Sequence, residues 1–441
     1  MKLAIWWAVA RLTSAARLQH RTRERRSDLK LRLANFDGVQ YSAALSLGEQ
    51  TLPVIYDTGS FEIIVLSTLC RTCHQDSIYN SSKSSSFMAA DGVIAEHLFG
   101  SGPVVSEKGY ETVRLGDHSS PYIAEHAPFW QVVRHEIAVW NSHSHFSGIV
   151  GLGHPSDVPQ GFSAGSTEAD SMLTAMHIKS FAFCLERGHS APGWFSVGPA
   201  AEALPQVHSS FQTLEVVGQV HWGVRMTDFQ IPGLDMVNPC IPSCGAIVDS
   251  GTSLISVPPS ATGIIMALSQ RIRRDCSNLR ALPVLRMKLD GKMIELPPGA
   301  YVMRTQRRVN KNSSILRRLF TGSAHDYVNE CSAAFMTLDK GSQFGPVWIL
   351  GMPFLRHYYT VFNRASKKMH FAPSTPSCQI VSQPLTLLNT TDTVQFHEGK
   401  GTGEGVEDRK LLDVDYEPMQ VDLNSARIPA WANSLEQHIS L

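Results

Sequence analysis

Two short stretches of this chain are near copies of each other. Pro53-Val54-Ile55-Tyr56-Asp57-Thr58-Gly59-Ser60 is echoed by Gly245-Ala246-Ile247-Val248-Asp249-Ser250-Gly251-Thr252-Ser253. In both, an apolar run with strand character delivers an Asp into a tight Asp-Thr/Ser-Gly-Ser/Thr turn. A second apolar run follows each, Phe61 to Leu66 and Leu254 to Val257. Asp, Ser and Gly are ordinary turn formers, so one such turn constrains little. Two copies, with Asp57 and Asp249 lying 192 positions apart, point to a duplicated half-site. Two carboxylates brought face to face resist double ionisation, so one keeps a proton while the other acts as a base. Such a pair activates water with no metal, cofactor or covalent nucleophile.

The rest of the chain reads as mostly β. Gln40 to Leu47, Thr51 to Tyr56, Thr112 to Leu115, Phe181 to Leu185 and Trp194 to Val197 are short runs bounded by turn formers. The best helix candidates are Ser171 to Ile178 and Ala261 to Arg273, the second opening after Pro258-Pro259-Ser260. A lobe junction is expected near Gly198 to Pro205, and the core is expected to end near Ala372. Beyond Pro373 the tail is rich in Thr, Ser, Gly and acid, a composition expected to be poorly ordered. With 441 residues, 43% of them hydrophobic, the chain can bury two sizeable cores. Its 39 basic and 39 acidic residues leave no net charge, which argues against a nucleic-acid partner. The basic stretches Arg11 to Arg32 and Arg304 to Arg318, and the acidic tail from Glu398 to Asp422, read as solvated termini and loops.

These motifs together resemble the pepsin-like aspartic protease family. Phe146-Ser147-Gly148-Ile149-Val150-Gly151-Leu152-Gly153 is similar to the segment that threads behind the first catalytic turn in that family. Trp348-Ile349-Leu350-Gly351-Met352-Pro353-Phe354-Leu355-Arg356 looks like its C-terminal twin, and Tyr358-Tyr359-Thr360-Val361-Phe362-Asn363 continues the match. The likeness covers roughly Leu31 to Ala372. It implies two pseudo-symmetric β lobes with a cleft between them, divided as 27–200 and 201–375. Residues 1–26 would be a signal and short prosegment, and 376–441 a polar extension. It implies an aspartic endopeptidase that cuts extended polypeptides between apolar residues at acid pH, as a monomer. Asp57 and Asp249 would be catalytic, with Thr58, Gly59, Ser60, Ser250, Gly251 and Thr252 supporting them. Ser60 and Thr252 would bond the outer carboxylate oxygens. The alternative is an inactive pepsin-fold protein that only binds peptides; such relatives usually lose an Asp, Gly or hydroxyl of the motifs, and all are present here.

One place departs from the family. Aligned through Gly109-Tyr110-Glu111-Thr112-Val113, the family's Tyr-Gly-Thr-Gly flap falls on Phe99-Gly100-Ser101-Gly102. The indole that usually accompanies the flap tyrosine is replaced by Ile64. Both ends of one hydrogen bond have become apolar, a change that can be nearly neutral where losing one end would not be. A phenylalanine flap resembles some plasmepsin-like proteases of apicomplexan parasites.

The eight cysteines suit an oxidising compartment. The resemblance implies the pairs Cys70-Cys73, Cys240-Cys244 and Cys276-Cys331. The first encloses a shorter loop than is usual in the family. Cys184 and Cys378 are left over, free or bonded to each other. Cys70-Arg71-Thr72-Cys73-His74 also spells a haem-attachment pattern, and Cys70, Cys73, Cys240 and Cys244 have zinc-ligand spacing. Neither is preferred, and His143 and His145 read as surface residues. Asn80, Asn312 and Asn389 open glycosylation triplets. Leu3 to Ala10 resembles a short signal peptide, which suggests a secretory, endolysosomal or vacuolar route. No other segment is long enough to span a membrane. Arg23-Glu24-Arg25-Arg26 suits a basic-residue convertase cutting after Arg26.

Overall fold

The computed structural model describes residues 27–73, 77–137, 140, 144–153, 171–188, 190–234, 237–308, 327–381 and 419–422. The signal and prosegment sequence through Arg26, together with His74, His143, Asn312 and Asn389, lies outside the described residues.

Strands carry the fold, and their burial follows the two-residue period of a pleated chain. Along Gly102–Leu115 the buried positions alternate from Val104 to Ser106, slip once, then alternate again from Gly109 to Leu115. The ladder to Ile123–His135 is irregular between Val105 and Ser106 and again between Glu111 and Val113. The expected strand Thr112 to Leu115 is therefore the end of a 14-residue strand. Gln40–Leu47, Gln50–Asp57, Ser180–Leu185 and Gly193–Val197 lie where the apolar runs placed them.

The strands form a 13-stranded sheet, an 8-stranded sheet and a 3-stranded sheet. One end of the largest holds the hairpin Met88–Phe99 with Gly102–Leu115. Its middle holds Gln50–Asp57. Its other end interleaves strands from both halves of the chain: Gln212–Glu215, Lys368–Pro373, Tyr358–Asn363, Ser180–Leu185, Gly193–Val197 and Leu29–Phe36. The second sheet holds Cys244–Val248 and Gly345–Leu350 side by side.

The sequence echo is a structural echo. Gln50–Asp57 runs parallel to Gly148–Gly151, and Ile63–Leu66 lies antiparallel on the far side of that strand. Ile63–Leu66 then pairs in parallel with Ile123–His135. In the second half, Cys244–Val248 runs parallel to Gly345–Leu350, Ile255–Val257 lies antiparallel to it, and Phe335–Thr337 pairs in parallel with Ile255–Val257. The same four-strand crossing is built twice, as a bilobal β fold requires.

Helices are short. The first candidate is only Met172–Ala175, and the second is Thr262–Arg271. A helix, Pro199–Val207, lies in the stretch near Gly198 to Pro205 where a lobe junction is expected. Pro199 opens it where a missing N–H costs nothing, and the Asp28 carboxylate accepts the Ala200 N–H at 2.7 Å. Pro205 falls late in the helix without ending it at once.

Parts of the tail differ from the expectation of disorder. The Arg187 N–H bonds the Pro376 carbonyl at 2.9 Å, and Cys378 is joined to Cys184. Met419–Asp422 adds a parallel strand to Val302–Arg308. Backbone pairing and a cross-link hold these pieces where composition alone offers no core. The other three disulfides are Cys70-Cys73, Cys240-Cys244 and Cys276-Cys331. With the four sulfurs of the zinc alternative split between two disulfides, that alternative fails, as does haem attachment at Cys70 and Cys73. His145 stacks on Phe36, ring centres 4.0 Å apart.

Candidate active site

Each motif Asp sits where its strand ends against the neighbouring parallel strand. Asp57 lies opposite Gly151, and its carbonyl accepts the Leu152 N–H at 2.7 Å. The Asp249 N–H donates to the Leu350 carbonyl at 3.1 Å. Asp57 is 7% exposed and Asp249 is 9% exposed, so both carboxyls are largely withdrawn from water.

The two turns cross. A Cβ built on Gly59 would stand 2.7 Å from the Asp249 carboxylate oxygens. One on Gly251 would stand 2.3 Å from an Asp57 carboxylate oxygen. Each turn glycine therefore makes room for the other turn's acid. Each also donates its N–H to its own acid, Gly59 to Asp57 at 2.8 Å and Gly251 to Asp249 at 2.7 Å.

Below the acids, Thr58 and Ser250 hold the turns together. The Thr58 hydroxyl donates to the Val248 carbonyl at 2.9 Å and accepts the Ser250 N–H at 2.9 Å. The Ser250 hydroxyl donates to the Tyr56 carbonyl at 2.7 Å and accepts the Thr58 N–H at 3.0 Å. All four bonds are buried. Removing one hydroxyl strands a buried N–H and a buried carbonyl, at about 1–3 kcal/mol per group. Ser250→Ala should thus lower stability by about 1–3 kcal/mol or more in chemical denaturation. Thr58→Val should act alike, and the double variant should lose less than the two losses added, because they share partners. Strict additivity would contradict the shared lock. The sequence placed Thr58 and Ser250 near the acids without showing that they bond each other; the hydroxyl at the same position of both copies was the available signal.

The halves are not equivalent around the acids. The Thr252 hydroxyl donates to Asp249 Oδ2 at 2.6 Å, as the resemblance implied. Ser60 differs. Its hydroxyl is buried and near enough to lower the Asp57 carboxyl, yet makes no aligned hydrogen bond. Burial first, then the Asp249 charge and the hydrogen bond with Asp249, raises Asp57 well above the ordinary carboxylate range. His221, which motif reasoning missed, faces the same region. Its ring lies 5.1 Å from Phe61, and burial lowers its pKa while the Asp249 charge opposes that. Next to it, the Trp222 indole donates to the Leu152 carbonyl at 2.8 Å, tying the second half to the segment behind the first turn.

The raised Asp57 carboxyl makes stability pH-dependent. The folded state keeps a proton that the unfolded chain releases above its ordinary value of 3.8. Its stabilising effect is fully present below that value and is lost as pH rises toward the raised one. Asp57→Asn should therefore raise the melting temperature at pH 7 and give a smaller gain at pH 3. Equal gains at both, by differential scanning fluorimetry, would contradict the assignment.

The flap motif falls at a hairpin tip. Phe99 pairs with Gly102, leaving Gly100 and Ser101 as the turn. Gly102 has φ +139°, and a Cβ there would stand 3.0 Å from the Glu136 carbonyl. Phe99 packs against the apolar cluster that contains Ile64, Trp130, Val104 and Ile149. Both residues of the altered pair thus meet one apolar cluster. As for metals, Cys70, Cys73 and His135 bring ligand atoms within 4.8 Å of one another among the described residues, but both sulfurs are spent on the disulfide.

Paired acids on crossed glycine turns, each backed by a copy of one four-strand crossing, define the aspartic protease class. Residues 40–374 match the family model described as eukaryotic aspartyl protease. The chain is 26% identical to pepsin A of Rhinolophus ferrumequinum over 77% of its length and 83% of that protein. It is 27% identical to cathepsin D of Clupea harengus over 78% and 83%, and 28% identical to renin of Rattus norvegicus over 77% and 81%. The chain belongs to the eukaryotic aspartyl protease family, a family of aspartic-type endopeptidases.

Proposed function

We propose that this chain is a competent endopeptidase that hydrolyses extended polypeptides with a water held between Asp57 and Asp249. The observation that carries the reading is the pair of buried acids served by each other's turn glycines. Asp249 receives two donors, the Gly251 N–H and the Thr252 hydroxyl, which fix the orientation of its carboxyl. It is the base that takes a proton from water as the oxygen attacks the peptide carbonyl. Asp57, held protonated by burial and by Asp249, donates toward the carbonyl oxygen. The tetrahedral diol collapses when the leaving nitrogen gains a proton. The requirement for one shared proton sets an acid optimum.

Phe99, Gly100, Ser101 and Gly102 form the flap that closes on substrate, with Ile64 beneath it, and closure excludes water. The apolar cluster under Phe99 supports a preference for apolar side chains beside the cut. Four disulfides support a secretory, endolysosomal or vacuolar setting, or secretion. Among the described residues no helix is long and apolar enough to cross a membrane. Processing after Arg26 by a basic-residue convertase and a monomeric mature form complete the proposal. A library of peptides incubated with mature protein from pH 3 to 7 tests it. Cleavage between apolar residues, strongest at acid pH and blocked by a statine-type inhibitor, is the expected result. Absence of cleavage at every pH would favour a peptide-binding protein instead.

A further inference from the structure

The flap hairpin has lost the polar partner pair at its tip, since Phe99 and Ile64 are both apolar. Two residues back along the chain from each stand His97, on the strand Met88–Phe99, and Glu62, just before the strand Ile63–Leu66. Side chains two apart share a strand face, and Ala95 and His97 are buried while Glu96 and Leu98 are exposed, so His97 points inward as Phe99 does. His97 Nδ1 meets Glu62 Oε2 at 2.8 Å, with the two side chains 7% and 10% exposed. His97 Nε2 meets the Ser106 hydroxyl at 2.7 Å on the returning flap strand. The ring stands edge-on to Trp130, centroids 4.8 Å apart. Every polar atom of the imidazole is therefore engaged.

Glu62 is anchored in turn to the catalytic centre. Its carbonyl accepts the Gly151 N–H at 2.9 Å, and Gly151 pairs with Asp57. A Cβ on Gly151 would lie 2.4 Å from the Glu62 nitrogen, so the two backbones are in direct contact. A continuous path runs from flap to acid: His97, the Glu62 side chain, the Glu62 carbonyl, Gly151 and Asp57.

We infer that Glu62 and His97 are positioning residues that tether the flap to the first catalytic turn, taking over from the apolar tip pair one strand period further from the tip. The inference rests on the peptidase reading above and names how that site holds its flap. A buried His–carboxylate contact of this kind holds direction through its geometry, whatever it adds to stability. It fixes where the hairpin sits, as apolar packing at Phe99 does not.

The test uses mature protein with His97→Leu, Glu62→Leu, the double variant and His97→Gln. Hydrogen exchange is followed over Glu96 to Val105 alone and with a statine-type inhibitor, and KM and kcat are measured on one peptide. Each single Leu variant should speed flap exchange and raise KM about tenfold, with kcat changed much less. The double Leu variant should recover melting temperature, because neither partner is left buried without its hydrogen bond, yet keep the fast flap and the raised KM. His97→Gln, which can still donate to Glu62, should restore most of the flap protection. Recovery of both flap protection and KM in the double variant would reduce the pair to packing and overturn the tether. So would a fall in melting temperature with no change in flap exchange. If the unmodified protein cleaves nothing, the peptidase reading fails while the exchange experiment still decides the tether.

Discussion

Asp57→Asn and Asp249→Asn should each lower kcat/KM at acid pH by at least about a thousandfold, with the fold kept. Asn matches Asp in shape, so the Gly59 and Gly251 turns can stay closed. What is lost differs between the two. Under the proposed mechanism, Asp57→Asn removes the acid that donates toward the carbonyl, and Asp249→Asn removes the base held by the Gly251 N–H and the Thr252 hydroxyl. The double variant should be little worse than either single one, because half a dyad does no useful chemistry. Steady-state cleavage of one peptide, beside circular dichroism of each variant, checks this. Retention of more than a tenth of turnover in either variant would refute the dyad mechanism.

Gly151→Ala and Gly351→Ala should be severely destabilising, each costing about 4 kcal/mol or more. Neither glycine is needed for its dihedral angles; the reason is proximity. A Cβ on Gly351 would stand 2.2 Å from the Thr252 carbonyl and 2.3 Å from that of Leu254. One on Gly151 would stand 2.3 Å from the Phe61 carbonyl carbon. These are backbone atoms of the two catalytic turns, and they cannot swing aside like a flexible side chain. Urea denaturation of the two variants, or failure to recover soluble protein, checks the expectation. A loss under about 1 kcal/mol would mean that the strand behind the turn can slide back, and that the crossing is looser than drawn.

The duplicated turns were legible because the same demand, an acid in a tight turn at a strand end, was written twice in the same letters. The segments behind them were legible for a similar reason, since Gly148 to Gly153 and Leu350-Gly351 carry the close-approach glycines. The proposed flap position came from counting back along the chain from Gly109, which needs no regular ladder, and it falls on the residues that turn between Phe99 and Gly102. The missed features depend on partners distant in sequence. Thr58 and Ser250 bond each other across 192 positions. Glu62, a lone acid in an apolar run, and His97 have no visible connection in sequence until the hairpin folds over. Ser60 and Thr252 occupy equivalent positions, yet only Thr252 aligns on its acid. Cys184 could not be paired with Cys378 because the two lie 194 positions apart. The helix at Pro199–Val207 was hidden by its prolines, which normally signal a break.

The interleaved end of the largest sheet has a mechanical consequence. Its order places Tyr358–Asn363 beside Ser180–Leu185, and Leu29–Phe36 beside Gly193–Val197. Neither half of the chain owns that floor, so neither can be excised without leaving raw strand edges. A floor shared in this way is stiff against opening like a book, because every degree of splay would shear a hydrogen-bonded ladder. In the proposed peptidase, the part left to move for a substrate is then the hairpin of Met88–Phe99 and Gly102–Leu115, at the opposite end of the same sheet.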